Sequence, residues 1–205
     1  ILILLFFVLT IHLSAQSLTF YVDPNTGNHT NIGTIDHPFK SISKGFSALS
    51  SGGTLYLRSG TYLSPAKLSL NKTGQSNSYF KIWAYPGEKP VIDFKGISTN
   101  TDGFSISGTY YHLKGLEIKN ATHNGINISG HYNIIENCLV HDNGNTGIHM
   151  GSSSSYANPS NNLVLNCDSY YNFDPPLGGN ADGFSAKWNI GTGNVFRDCR
   201  AWNNS

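Results

Sequence analysis

The sequence predicts an all-β protein, a right-handed parallel β-helix with one short capping helix near its N-terminus. Three observations lead to this fold class: a repeated strand pattern, a regular interval between repeats, and a composition typical of turns and short strands. The chain has 22 glycines and 12% aromatic residues. Glycine, with abundant Asn, Ser and Thr, favours tight turns, whereas aromatic side chains favour strands.

Four segments share one order of residues: glycine, apolar, polar, apolar, then small or polar. They begin at Gly103, Gly125, Gly147 and Gly183. The first three glycines are 22 residues apart, and the fourth follows after 36. A period near 22 residues is typical of a solenoid, in which equivalent residues of successive coils stack about 4.8 Å apart.

A second strand is predicted after each of these segments. The second strands cover residues 113–118, 134–140, 163–169 and 195–201, and they align Leu116, Cys138, Cys167 and Cys199 in one column. This alignment divides the excess length of the third interval into two seven-residue insertions, around 152–159 and 173–179. It also brings together Asn143, Asn172 and Asn204, which we expect to form an amide ladder. We expect free thiols in the cysteine column, because buried cysteines behave as small hydrophobic side chains.

A leucine-rich repeat is the competing solenoid. Residues 113–120 resemble its consensus. The other half of each repeat, however, is an alternating strand rich in Gly, Asn and Ser, where a leucine-rich repeat normally has a helix or another Leu-bearing segment. The parallel β-helix is therefore the better interpretation.

The N-terminal residues have the pattern of an export signal. Residues 1–13 are almost wholly apolar and precede Ser14, Ala15 and Gln16, small or polar residues typical of a cleavage site. A membrane-spanning helix needs about 20 apolar residues. We therefore interpret 1–15 as a signal peptide whose start is missing, and 16–205 as one β-helix domain truncated at its C-terminus. The predicted protein is secreted, extracellular or periplasmic, with no membrane association after cleavage.

The region between the signal and the repeats predicts a cap. The spacing of Phe39, Ile42, Phe46 and Leu49 places them on one face of a short helix, which Gly52 and Gly53 end. Short strands are predicted at 20–23, 54–58, 66–70, 80–84 and 91–94, with a turn at Gly60-Thr61-Tyr62.

Charge excludes one class of partner. The net charge is +1 and only 12% of residues are charged. Nucleic-acid binding needs a basic surface that this composition does not supply. We expect a monomer that does not bind nucleic acid.

Strand alternation separates the interior columns from the outward columns. Phe104, Ile126, Ile148 and Phe184 are predicted to point inward, as are Ile106, Ile128, Met150 and Ala186. The outward columns are Ser105, Asn127, His149 and Ser185, and Ser107, Ser129, Gly151 and Lys187, while Asp102, Asn124, Thr146 and Asp182 precede the strands. The functional-looking residues His149, Asp182 and Lys187 thus fall in the C-terminal coils, where the insertions could wall a groove for an extended polymer.

The C-terminal segments 166–172, 174–184 and 199–204 resemble the pectate lyases of polysaccharide lyase family 9. The region 38–62 shares a looser similarity with the cap of many β-helix carbohydrate enzymes. The resemblance implies cleavage of polygalacturonate, an acidic polysaccharide, by Ca²⁺-assisted β-elimination, with Asp182 as a calcium ligand. An outward Lys187 and His149 would contact substrate.

The resemblance also implies that the site is incomplete within these residues. Calcium takes about six to eight oxygen ligands, so one aspartate cannot hold it. In the family, further aspartates and the catalytic lysine follow after the position of Ser205. We therefore assign no catalytic residue within this chain and expect it to be inactive alone.

Three other functions compete with a pectate lyase. An inverting glycoside hydrolase needs two carboxylates about 6.5–9.5 Å apart, but Asp182 and Asp102 lie three coils apart. A non-catalytic glycan-binding protein or adhesin would have the same ladders and cap. A lyase for another uronate polymer, such as alginate, would keep the same calcium chemistry.

Overall fold

The chain winds into a parallel β-helix in this computed structural model, which describes residues 18–154, 157–176 and 178–205. The predicted signal peptide, 1–15, lies outside the described residues. Within them, no helix is long and apolar enough to cross a membrane.

One helix and eighteen strands make up the described residues. They are β1 (Thr19–Val22), α1 (Ile42–Ala48), β2 (Thr54–Leu57), β3 (Gly60–Leu63), β4 (Leu68–Leu70), β5 (Phe80–Ala84), β6 (Pro90–Asp93), β7 (Phe104–Ile106), β8 (Tyr111–Lys114), β9 (Glu117–Lys119), β10 (Ile126–Ile128), β11 (Ile134–Glu136), β12 (Leu139–His141), β13 (Ile148–Met150), β14 (Leu163–Leu165), β15 (Asp168–Tyr170), β16 (Phe184–Ala186), β17 (Val195–Arg197) and β18 (Arg200–Trp202).

Three parallel sheets run along the molecule. Sheet 1 has the order β1-β2-β5-β8-β11-β14-β17, sheet 2 is β3-β6-β9-β12-β15-β18, and sheet 3 is β4-β7-β10-β13-β16. Each complete coil adds one strand to each sheet. This arrangement confirms the predicted fold class.

The predicted register of the glycine-headed strands is confirmed in sheet 3. Ile126 pairs with Phe104 on one side and Ile148 on the other, and Ile148 pairs with Phe184. The first three of these side chains are fully buried, and Phe184 packs against the core. Ala186 occupies the inward column but is exposed, because β16 is the last described strand of its sheet.

The predicted second strand of each repeat is wrong in one respect, because each is two strands that meet at a corner. The corner residues Gly115, Asn137, Asn166 and Asp198 all have positive φ, between 48° and 72°. Glycine, Asn and Asp adopt this left-handed conformation most readily, so they bend the chain from sheet 1 into sheet 2.

The cysteine column lies immediately after this corner. Cys138, Cys167 and Cys199 are free thiols, and the first two are buried. The Cys138 thiol and burial together raise the pKa of Cys167. These cysteines therefore act as small packing residues with free thiols, as the sequence predicts.

The predicted turn at Gly60-Thr61-Tyr62 is also wrong, because these residues belong to strand β3. Gly60 has a φ of 134°, which makes the bend in one residue and leaves the next residues free to pair with β6. The Tyr62 hydroxyl donates inside the fold, to Val22 O at 2.8 Å and to Arg58 O at 2.9 Å. Tyr62 is buried and anchors the strand to the first coil.

The predicted amide ladder is present at the turn from sheet 2 to sheet 3. Asn143 donates from its backbone N and its Nδ2 to Asn172 Oδ1, at 3.1 and 2.8 Å. Asn172 repeats both bonds to Asn204 Oδ1, at 3.1 and 2.8 Å. Because Asn143 and Asn172 are buried, the ladder satisfies backbone groups that water cannot reach.

A second ladder, which the sequence analysis missed, lies at the turn from sheet 3 to sheet 1. The Asn133 backbone N donates to Asn162 Oδ1 at 2.9 Å, and Asn162 Nδ2 donates to Asn194 Oδ1 at 2.9 Å. Each of these asparagines stands one residue before a strand of sheet 1. Asparagine side chains at equivalent positions of successive coils thus fix two corners of the β-helix.

Helix α1 lies against the first strands and begins at an N-cap, Ser41, whose side chain accepts from Lys44 N. Lys72 holds the other end. Its Nζ donates to Phe46 O at 2.8 Å and Leu49 O at 2.7 Å. A cation at this position satisfies carbonyl groups that a helix leaves without partners.

We predict that Lys72→Met destabilises the protein by about 1–3 kcal/mol, because it removes charged hydrogen bonds to partly buried carbonyls. Chemical denaturation measures this change. The matched control is Lys67→Met, since Lys67 is exposed and its replacement should alter the free energy of unfolding by less than about 0.5 kcal/mol. Equal values for the two variants would contradict the role of Lys72.

The amide ladder gives a second stability prediction. Asn172→Ala leaves the Asn143 donors and the Asn204 acceptor without their partner, and should lower the free energy of unfolding by about 2–4 kcal/mol. The exposed Asn77 supplies the control, and Asn77→Ala should have little effect. A small loss for Asn172→Ala would mean that water replaces the missing amide.

Candidate functional site: a polar groove over sheet 3

The outward face of sheet 3 carries one polar residue from each coil. Ser105, Asn127, His149 and Ser185 are neighbours in the strand register. The sequence predicts this column correctly, but not that Ser185 is buried, with 5% of its surface exposed. The neighbouring His149 side chain, with Nδ1 2.8 Å from Ser185 Oγ, is one of the groups that cover it.

Two adjoining cavities form a groove beside this column. The smaller has a volume of about 390 Å³ and is lined by residues that include Asn127, His149 and Lys187. The larger has a volume of about 920 Å³, and His123 and Asn145 line both. The groove therefore extends from sheet 3 over the turns that enter it.

The two predicted insertions contribute to the walls of this groove. Ser152 and Ser153, from the first insertion, line the smaller cavity. Phe173, Asp174 and Pro175, from the second, line the larger one. Both insertions thus line the groove, as the sequence predicts.

Asp182 lies at the entrance to β16 and forms an ion pair with Lys187 through its Oδ2 atom. Backbone bonds fix its position: Asp182 N donates to Asn180 O at 3.0 Å, and Gly147 N donates to Asp182 O at 2.9 Å. Oδ2 is shielded from solvent, and the Lys187 ammonium is its partner.

His149 is half-buried, and its Nδ1 lies 2.8 Å from Ser185 Oγ. Burial lowers the pKa of this imidazole, and the positive charges of Lys187 and His123 act in the same direction. The negative charges of Asp102 and Asp182 oppose the shift without cancelling it. His149 is therefore a neutral hydrogen-bonding group near pH 7, suited to a sugar hydroxyl or to fixing Ser185.

A second charged cluster, two coils before His149, was not identified from the sequence. Asp102 Oδ1 lies 2.7 Å from His123 Nδ1 and accepts from Asn124 Nδ2 at 3.0 Å, while its Oδ2 accepts from Asn127 Nδ2 at 3.0 Å. Burial alone would raise the pKa of Asp102, but His123 and the amides outweigh burial and lower it. A signal was available, since His123 and Asn124 follow Asp102 after about one repeat period.

The described residues offer few groups that could bind a metal ion. Across the ranges that the structure describes, no group of three or more His, Cys, Asp or Glu side chains could hold a metal ion. Asp182 offers one carboxylate, with Lys187 as its present cationic partner. The donor chemistry fits one ligand of a calcium ion, and the remaining oxygens would have to come from elsewhere.

These features define a parallel β-helix protein with a polar, charge-bearing groove over one sheet. The chain belongs to the Pel9A-like family, whose right-handed β-helix region matches residues 20–205. This membership confirms the family resemblance that the C-terminal segments indicate.

Relatives of this chain are pectate lyases. It is 40% identical over 189 residues to pectate lyase L of Paenibacillus polymyxa (strain SC2), a match that covers 88% of this chain and 42% of the relative. It is 34% identical over 197 residues to pectate lyase L of Dickeya dadantii (strain 3937), covering 91% and 45%. The chain thus spans about half the length of these relatives.

Two solved structures are similar to this chain, and their names denote lyases of different polysaccharides. The crystal structure of pectate lyase Pel9A is 34% identical with a TM-score of 0.82, covering 91% of this chain and 48% of that one. A rhamnogalacturonan lyase is 29% identical with a TM-score of 0.79, covering 91% and 52%.

We predict that His149 titrates below its ordinary pKa of about 6.5. Because burial disfavours the charged ring, the unfolded chain binds this proton first as the pH falls. The free energy of unfolding should therefore decrease below about pH 6.5 until the folded ring also protonates. Resonances of the imidazole protons followed by NMR against pH give the pKa directly.

Two variants test the link to stability. His149→Gln should make the acid-side decrease in stability shallower, whereas His29→Gln, in an exposed loop, should leave it unchanged. A His149 pKa at or above 6.5 would contradict the prediction.

Proposed function

We propose that the gene product carrying this chain is a polysaccharide lyase that cleaves polygalacturonate by calcium-assisted β-elimination. The observation that carries the proposal is the pairing of Asp182 and Lys187 beside an open polar groove. An acidic polymer needs cationic groups for its carboxylates and hydrogen-bonding groups for its hydroxyls. The pectate lyase relatives support the same reaction class.

The groove offers both kinds of contact. Asn124, Asn127 and Asn145 line the smaller cavity and present amide groups typical of sugar recognition. Lys187 lines the same cavity, where its ammonium group can bind a uronate carboxylate. His149, held neutral, can exchange hydrogen bonds with a hydroxyl. We assign Lys187 and His149 to substrate binding.

Asp182 would hold the calcium ion as one carboxylate ligand. When bound, calcium neutralises the uronate carboxylate and makes the neighbouring C5 proton more acidic. About six to eight oxygens surround calcium, so we propose that uronate carboxylates, water and residues outside the described ranges complete the set. A calcium ion on Asp182 would take the place of Lys187, and Lys187 would then be free to contact substrate.

The elimination itself needs a base. The base removes the C5 proton, the electrons of that C–H bond form the C4–C5 double bond, and the C4–O4 bond breaks. The departing O4 takes up a proton, and no water is consumed. Because the family resemblance implies a catalytic lysine after the position of Ser205, we assign Lys187 no proton transfer. We propose that the base lies outside residues 18–205 and that this chain alone lacks lyase activity.

We further propose that the protein is exported through residues 1–15 and acts as a monomer. The apolar run followed by small residues motivates the first statement. Sequencing the N-terminus of protein recovered from the medium or periplasm tests export, and light scattering tests the oligomeric state. An intact N-terminus or a stable dimer would contradict these two statements.

A second substrate deserves a direct trial because one similar structure is a rhamnogalacturonan lyase. That polymer also carries uronate carboxylates next to the bond that a lyase breaks. Polygalacturonate, rhamnogalacturonan and alginate should be compared side by side. Binding without elimination on all three would instead support a non-catalytic glycan-binding protein.

We predict that Asp182→Asn abolishes calcium-dependent elimination by the full gene product. Loss of an outer-shell partner of a metal costs roughly 10- to 100-fold, so loss of a direct ligand should cost more. Ultraviolet absorbance of the unsaturated product measures the rate, with added calcium and then with excess chelator. Calcium-dependent activity that Asp182→Asn leaves intact would exclude this aspartate as a ligand.

Calcium binding supplies a readout that does not need turnover. Lys187→Gln removes the cation that now pairs with Asp182, so it should strengthen calcium binding several-fold in titration calorimetry, while weakening substrate binding. Lys67→Gln, in an exposed part of the cap, is the matched control. Weaker calcium binding after Lys187→Gln would show that the lysine supports the ion instead of competing with it.

A further inference from the structure

Trp188 is the most exposed tryptophan of the described chain and stands at the rim of the groove. Its exposed fraction is 69%, and it lines the smaller cavity together with Lys187 and His149. Residues 186–190 are all exposed because β16 is the last described strand of sheet 3, so exposure alone does not indicate a ligand. The position of Trp188 on the cavity wall, with Lys187 and His149, is what points to one.

The backbone holds this tryptophan in an unusual conformation. Trp188 has a φ of 64° and the following Asn189 a φ of 49°. A left-handed conformation is uncommon for a bulky residue and has to be maintained by its surroundings. Glycine or asparagine would make the same turn with less strain, so the turn alone does not require tryptophan.

Contacts with the preceding coil maintain that conformation. Ser152 N donates to Trp188 O at 2.8 Å, and Asn189 Nδ2 donates to Ser152 O at 3.0 Å. Gly151 permits the close approach, since a Cβ there would lie within 1.8 Å of Lys187 O. The backbone of Trp188 is thus fixed to the start of the first insertion, beside the smaller cavity that this residue lines.

We propose that Trp188 is a stacking platform for one sugar ring of a uronate polymer. The polymer class rests on the proposed function above. The C–H face of a pyranose ring packs on the indole, as apolar groups pack on aromatic faces. Lys187 is adjacent in sequence, so the carboxylate of the same or a neighbouring sugar has a cationic partner nearby. The amides lining the cavity serve the hydroxyl groups.

The test uses Trp188→Asn and Trp188→Phe in the full gene product. Asparagine removes the ring but tolerates the left-handed backbone, and phenylalanine keeps an aromatic face. The control is Trp202→Ala: Trp202 is 39% exposed on sheet 2 and stacks on Tyr170 with ring centroids 4.5 Å apart. Thermal unfolding verifies that all three variants fold.

Binding of galacturonate oligosaccharides is measured by calorimetry, and cleavage by the absorbance of product. Trp188→Asn should weaken binding and raise KM by about 3- to 10-fold, the range expected for one aromatic contact. Its kcat should change less than two-fold, because the ring touches no reacting atom. Trp188→Phe should recover most of the loss, and Trp202→Ala should resemble the wild type.

Fluorescence quenching by iodide gives an independent readout. Trp188 should be accessible in the free protein and protected by saturating oligosaccharide, and Trp188→Phe should remove that change. Trp188 already shielded without ligand would overturn the proposal, because another surface would then cover the ring.

The outcomes separate this proposal from the proposed function. Cleavage of polygalacturonate with unchanged KM in Trp188→Asn overturns the stacking platform and leaves the lyase intact. Binding without elimination that depends on Trp188 supports the platform and rejects the lyase. No binding of the oligosaccharides by the wild-type protein overturns the platform for this polymer class.

Discussion

Stacking of one coil on the next is the constraint on which the rest of this structure depends. Adjacent strands in a sheet are spaced about 4.8 Å apart, so three sheets can share one set of coils only if every corner repeats in register. The two asparagine ladders meet this requirement. In each, a side-chain Oδ1 accepts from the backbone N of the preceding coil, for example from Asn143 to Asn172 and from Asn133 to Asn162. They align the corners and satisfy buried backbone groups at once.

The groove follows from the same constraint. Strand pairing fixes Asn127, His149 and Ser185 in one line on sheet 3, while the turns on both sides are free to lengthen. The two insertions use that freedom, and they raise walls without disturbing strand pairing. Asp182 and Lys187 stand at opposite ends of β16, five residues apart, and meet through their side chains. The stacked coils thus fix where the side chains of the groove lie, whereas the turns supply residues that vary in chemistry.

Sequence reasoning succeeded wherever the periodicity was strong. Strand alternation gives the interior column of Phe104, Ile126 and Ile148, and the even division of the excess length locates both insertions. The corner between sheets 1 and 2 escaped detection because apolar residues continue through it. Only the left-handed preference of Asn137 and its equivalents marks the bend, and Asn occurs in many other roles in this chain. Gly60 was likewise taken as part of a turn, although it completes the bend in a single residue.

Side-chain contacts across coils could be predicted less well than the columns. Asp102, His123 and Asn127 approach one another because successive coils stack, yet their separation in sequence follows the period only approximately. Lys72 and the carbonyl groups of α1 come from different parts of the cap, with no periodicity to connect them. The Asp182–Lys187 contact needs the actual turn geometry, since alternation places one residue before the strand and the other beyond it. The sequence therefore predicts which residues lie near one another in the site, but not which of them form direct contacts.

The asparagine ladders also determine how a protein of this kind can change in evolution. A single-residue insertion within a coil would shift Asn133 or Asn172 out of line with its partners, at the cost of several buried hydrogen bonds. Lengthening a turn outside the ladders, as around Ser152 and Phe173, leaves every rung intact. Insertions and deletions are therefore tolerated mainly at the rim of the groove. They can change the ligand contacts there while the stacked coils stay the same.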